Sequence, residues 1–261
     1  MRNALFAMIL FACGSSSSSP VDGNTGSNGS NGSNGSNGSN GSNTGSGPFS
    51  CLGQPIPTTA PDPVTLSGSA VTLNGTTAAG APNISITAYD SGSNVLGTAT
   101  SASTGAYSIS MTSGGKPVDV HLEATGANMR PSALYPAVDL YQNSTAGVVV
   151  IIPESDFDFL ASLSGVTQGS GNGAVGVAVF DCNGNALSGA TVNIPGGDVV
   201  YLGSNNTPDT SASMTNSVGI ALVFNVPAGP AMLSATVGGM NLRSHTINAE
   251  AGVTTTAAIQ P

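Results

Sequence analysis

A chain of 261 residues that is 39% hydrophobic holds one or two ordinary domains once its low-complexity N-terminal part is set aside. Charged residues make up only 7%, against 36 Gly and 16 Pro with no Trp, a composition that disfavours helices and favours strands and turns. A formal net charge of −9 with four Lys plus Arg repels phosphate backbones, which argues against any nucleic-acid partner.

The opening MRNALFAMILFAC carries one positive charge at Arg2, an apolar run from Ala4 to Ala12, and then Cys13. Residues 1–12 read as a secretory signal, too short to span a bilayer as a mature helix. Leu10-Phe11-Ala12-Cys13 resembles the bacterial lipobox, in which a small residue precedes a cysteine that is lipidated and becomes the mature N-terminus. The resemblance implies lipid attachment at Cys13, a partner membrane reached through that anchor, and a place in the bacterial cell envelope. With Gly14 rather than Asp after the cysteine, the sorting rule of enteric bacteria implies the outer membrane. Several acyl chains on one residue hold a protein on a membrane stably, where a single chain does not.

From Gly14 to Gly47 the chain is Ser and repeated Asn-Gly-Ser, with Val21 the single residue that could be buried. Residues 13–47 are therefore expected to form a lipidated, disordered tether. As a flexible coil, its 34 residues reach roughly 30 Å.

Beyond Pro48, short alternating runs are bounded by Gly, Asn, Asp and Ser. Thr65–Leu73, Asn83–Tyr89, Val95–Thr100, Ala106–Met111 and Val118–Ala124 read as strands separated at hairpin spacing, giving a first small β-sandwich over 48–152. The β-branched run Val148 to Ile152 marks a strand covered on both faces. A short helix follows in the connection 153–172, with Ser155 as its cap and Phe157, Leu160 and Leu163 turned inward. A second sandwich over 173–261 begins at Val175, Val177 and Val179. It turns at Asn183-Gly184, resumes at Ala190, Val192 and Ile194, and ends with runs at Val199–Leu202, Gly219–Val226, Ala231–Val237 and Thr254–Ile259. The fold class is all-β: two small antiparallel β-sandwich domains of transthyretin or immunoglobulin-like type after the tether.

Asn183 to Ile194 (NGNALSGATVNI) followed by Thr215 to Gly229 (TNSVGIALVFNVPAG) resembles the carboxypeptidase regulatory-like domain, a transthyretin-like sandwich. Ala78 to Asp90 and Ser103 to Ser110 echo it in the first unit. Gly189 and Gly219 fall where turns need permissive backbone, and Ala190 and Val192 point to the core. The resemblance implies a fold and says little of function, because such modules are accessory units of many extracellular proteins. No HxxE pattern accompanies it, so peptidase activity is not implied.

Of three cysteines, acylation of Cys13 leaves Cys51 and Cys182 for an oxidising compartment, as a disulfide or as two free thiols. Asp119, His121 and Glu123 alternate along one strand face at a spacing of roughly 7 Å, a row that could hold a divalent metal or face solvent. Because nothing nearby supplies another fixed ligand, no metal is assigned. His245 has no carboxylate in sequence reach and reads as a surface residue. Asp181, Asn183 and Asn185 resemble half a calcium loop, but Ala186 replaces the required Gly and no Glu closes it, so a hairpin turn is expected. Lys116, the lone lysine, lies in a turn and offers no buried amine for an internal isopeptide bond. No GxSxG elbow is present and no cofactor is implied, so no enzyme is expected. Two functions remain: a non-catalytic envelope lipoprotein displaying sandwiches for structural or protein-binding roles, or a carbohydrate-binding module. The second needs exposed aromatic rings to grip a polysaccharide partner, for which Tyr135 and Tyr141 are the candidate pair.

Overall fold

The computed structural model describes residues 47–74 and 77–261, so the signal segment, Cys13 and the tether to Ser46 lie outside the described residues. In chain order the elements are β1 (Val64–Asn74), β2 (Thr77–Gly80), β3 (Ser85–Asp90), β4 (Val95–Thr100), β5 (Ala106–Met111), β6 (Val120–Thr125), β7 (Ser132–Tyr135), β8 (Ser144–Val150), α1 (Glu154–Leu163) and β9 (Asn172–Val179). They continue with β10 (Ala190–Asn193), β11 (Asp198–Leu202), β12 (Pro208–Asp209), β13 (Ile220–Pro227), β14 (Gly229–Val237), β15 (Met240–Asn241), β16 (His245–Ala249) and β17 (Thr254–Ile259). The all-β class holds, with one helix among the described residues.

The two sandwiches share a sheet. A nine-stranded sheet runs in the order β12-β11-β13-β9-β17-β7-β6-β3-β4. Its seam is the C-terminal strand β17, which pairs in parallel with β7 on one side and β9 on the other. Parallel pairing also joins β8 to β1, so the antiparallel expectation fails at three ladders. Such ladders join strands far apart in sequence, and no hairpin signal announces them.

Because side chains alternate across a strand, each face of this sheet can be followed from end to end. On one face Tyr201, Ala221, Val177, Ala257 and Tyr135 are successive Cα partners. The first four belong to the core of the second sandwich, closed by β10, β14 and β16 through Val192, Leu233 and Ile247. On the other face Leu134, Leu122 and Ala88 belong to the core of the first sandwich, closed by β1 and β5 through Leu66, Ile109 and Met111. The covering layer thus changes sides at the seam, leaving a step on each face.

A third apolar cluster ties the halves together. It joins Val148, Val150 and Ile152 to Phe157 and Ala161 of α1 and to Ile220, Leu222 and Phe224 of β13. Val149 and Ile151 turn instead into the first core, so the run after Gly147 is buried on both faces, as its β-branched composition implies. At Gly68 the parallel pair β1/β8 is so close that an added Cβ would lie 1.7 Å from the Gly147 carbonyl oxygen. Gly219, expected in a turn, has φ +70°.

The helix differs from expectation at both ends. Pro153 is its N-cap residue, and Ser155 lies inside the first turn with its hydroxyl on Asp156 rather than on a backbone N–H. Proline's fixed φ suits that boundary without a side-chain cap. Leu163 is 43% exposed, since Phe157 and Ala161 already fill the buried stripe. Ser155→Ala is therefore expected to change unfolding free energy by less than about 0.5 kcal/mol, where loss of a true cap costs about 1 kcal/mol; urea denaturation distinguishes the two.

Residues 48–54 pack on the second sandwich before the chain enters the first. Phe49 lies against its core, the Cys182 N–H donates to the Pro48 carbonyl at 2.9 Å, and Arg243 donates to the Gln54 carbonyl at 2.7 Å. Cys51 and Cys182 are joined as a disulfide across a sequence separation of 131, with Cα atoms 5.5 Å apart.

Candidate functional site

Strand β6 alternates cleanly: Val120, Leu122 and Ala124 enter the first core, so His121 and Glu123 face outward, with Asp119 just ahead of them. Their face is the one covered by β16 in the second sandwich and uncovered here. The step between the two regions is a cleft of about 500 Å³, floored by Asp119, His121, Glu123 and Tyr135 and walled by Asp139, by His245 to Asn248 of β16 and by Glu250.

Across the floor, three rings stand in a cross-strand row. Tyr89 and His121 are Cα partners with centroids 5.6 Å apart, and the His121 and Tyr135 rings stack at 5.1 Å with planes 5° apart. Glu123 sits 3.6 Å from His121 Nε2. Such a row locks the imidazole between two rings. Asp119, His121 and Glu123 share this face as expected, but among the described residues no three His, Cys, Asp or Glu side chains converge as a metal site.

His245 corrects the surface reading. It is half-buried in the same cleft, with Nε2 2.8 Å from the Ala258 carbonyl oxygen. No sequence signal links His121 and His245, which line one cleft because strands far apart in the chain border it. Burial holds the His245 imidazole below its ordinary pKa of 6.5, against the opposing pull of the Ala258 carbonyl and Asp119. A depressed folded pKa contributes stability that is complete above pH 6.5 and is lost as pH falls through the lower folded value. Melting temperature is thus expected to fall as pH drops below 6.5, and His245→Gln to flatten that slope.

Negative charge dominates the cleft. Burial raises the Asp139 pKa and the Asp119 carboxylate adds to it. Burial also raises that of Tyr135, with Glu250, Glu123 and Asp119 pushing the same way and a hydrogen bond from the Asn248 backbone opposing. Its lining holds four carboxylates, Asp119, Glu123, Asp139 and Glu250, and neither lysine nor arginine.

Tyr141 lies elsewhere, in a second cleft at the step on the opposite face, lined also by Leu66, Phe180 and Cys182. Tyr135 and Tyr141 thus line different clefts, which share the segment Pro136 to Asp139. The Asp181 loop is a hairpin turn: Asp181 Oδ1 accepts from the N–H groups of Asn183 and Asn185, both at 2.8 Å. Asp90 makes the same turn with Gly92 and Asn94. Burial would raise the Asp181 pKa, but the hydrogen bonds from Asn185 and Asn183 outweigh it and hold the carboxyl low. Lys116 is exposed in its turn.

No family model matches the chain, and no curated protein does. Among solved structures, the Bacillus anthracis TIE protein aligns at 14% identity and a TM-score of 0.24, over 76% of this chain and 34% of that one. The chain thus spans about a third of that protein's length. The shaft pilin SpaA from Lactobacillus rhamnosus GG aligns at 11% identity and a TM-score of 0.28, covering 76% of this chain and 98% of that one. GBS52, the minor pilin of Streptococcus agalactiae, aligns at 13% and 0.23, covering 76% and 94%. Scores this low carry no argument about function.

Proposed function

We propose that this protein is a non-catalytic, membrane-anchored lipoprotein of the bacterial envelope, placed at the outer membrane, that displays its joined sandwiches as a structural and protein-binding module. Supporting it most directly is the way the tether meets the fold. Immediately after Gly47 the chain is fastened to the second sandwich by Phe49, the Pro48 carbonyl and the Cys51–Cys182 bond. A pull transmitted from a lipid at Cys13 would load a covalent bond before it could peel β1 from its sheet. The turn glycines of the second sandwich support its reading as a carboxypeptidase regulatory-like module.

The way the histidines are held fits a structural role: His121 is clamped between tyrosines, and His245 is bonded to a backbone carbonyl. A protein partner fits better than a polysaccharide, because one face of the Tyr135 ring is already stacked on His121. The deciding measurement is the intact mass of the protein extracted from its native membrane, with and without reduction and alkylation. A chain starting at Cys13 plus acyl groups, with two cysteines alkylated only after reduction, is the expected result. An unlipidated mass overturns the anchoring.

A further inference from the structure

The wall of the acidic cleft is a sheet edge. Among the described residues β16 hydrogen-bonds in register to β14 alone, and its other side borders the cleft. Which backbone groups point that way follows from one residue. Pro230 of β14 is the Cα partner of Asn248, and proline has no N–H to give a hydrogen-bonded pair. In an antiparallel ladder bonded and non-bonded pairs alternate, so Asn248 and, two residues along, Thr246 direct their N–H and C=O groups away from β14, into the cleft. Among the described residues no ladder pairs with β16 on that side, which leaves the edge at Thr246 open.

Charge narrows what can lie along this edge. Four carboxylates and no cation line the cleft. This chain has few cations to offer it: Arg2, Lys116, Arg130 and Arg243 are all it contains. Arg130 is buried against Glu154, and Arg243 is bonded to Gln54. Neither the tether nor a second copy supplies a basic strand.

We infer that the cleft takes an extended, lysine- or arginine-bearing segment of a different protein, which adds as a strand to β16 at Thr246 and directs a basic side chain to Asp119, Glu123 and Asp139. Main-chain hydrogen bonds would give affinity, and the acidic floor selects the side chain. This inference rests on the reading of the chain as a binding module, but its test is independent of the anchor, which the mass measurement decides separately.

The test titrates the purified protein with a fluorescein-labelled Thr-Lys-Thr-Lys-Thr-Lys-Thr peptide, with the Glu-for-Lys peptide, spermidine and a hexamer of N-acetylglucosamine as comparisons. Binding of the lysine peptide alone is expected, weakened about tenfold between roughly 0.05 M and 0.3 M salt. Thr246→Pro removes an N–H that β14 does not use and is expected to weaken the peptide at least about tenfold without altering the far-ultraviolet spectrum. The double change Asp119→Asn, Glu123→Gln is expected to do the same. Hydrogen exchange of the parent protein gives a readout free of mutation, with the Thr246 amide slowed by the peptide. No peptide binding, equal binding of the Glu peptide, binding of the sugar alone, or spermidine binding that competes fully while Thr246→Pro has no effect would each overturn the inference.

Discussion

Reducing the Cys51–Cys182 bond, or replacing both cysteines by serine, is expected to cost the folded protein about 2–4 kcal/mol and to lower its melting temperature by roughly 10 °C. Chain entropy sets the scale: a cross-link over a sequence separation of 131 restricts the unfolded chain by about 5 kcal/mol in the simplest model. Native contacts that survive reduction, Phe49 on the core and Arg243 on Gln54, offset none of this, because they are present in both forms. Calorimetry with and without reductant measures it. An unchanged melting temperature would show that the arm carrying Cys51 detaches freely and that the bond restrains little beyond it.

Phe157→Ala is expected to cost about 3–5 kcal/mol. Phe157 is 2% exposed, its ring lies 6.2 Å from Phe224, and the Arg130 guanidinium sits 3.8 Å above it. It also borders an apolar pocket of about 60 Å³ with Val150, Ile152 and Leu222, which truncation would enlarge rather than let collapse. Arg130, itself buried, would lose the ring that it stacks on while keeping Glu154. Since this cluster joins β8 of the first sandwich to β13 of the second, the lower melting transition is expected to remain single by calorimetry and by circular dichroism. Two separated transitions would mean that the shared sheet does not couple the halves.

How much of this was legible in the sequence depended on the distance over which each feature is decided. The alternation of Val120, Leu122 and Ala124 reports a half-buried strand within six residues, and it placed Asp119, His121 and Glu123 on one face. Asp181-to-Asn185 reports its hairpin because the turn is closed by its own side chains. Strands β7 and β16 escaped. Ser132–Tyr135 is four residues between Pro131 and Pro136, and His245–Ala249 shows only Ile247 and Ala249 as apolar alternation. Those two strands build the seam and the cleft wall, so the site was half visible: its floor lay on one recognisable strand, its wall on an unrecognised one.

The sequence by itself determined the all-β class, the turns, and the strand from Val148 that is buried on both faces, because propensity, alternation and turn chemistry act among near neighbours. Only the tertiary structure decided that the sandwiches share one sheet, that His121 and His245 line one cleft, and that Tyr135 and Tyr141 line two. Parallel pairing of β17 with strands about 80 and 120 residues earlier in the chain leaves no local mark, since any small β-branched strand satisfies the same alternation, and packing of the finished layers selects which edge it joins.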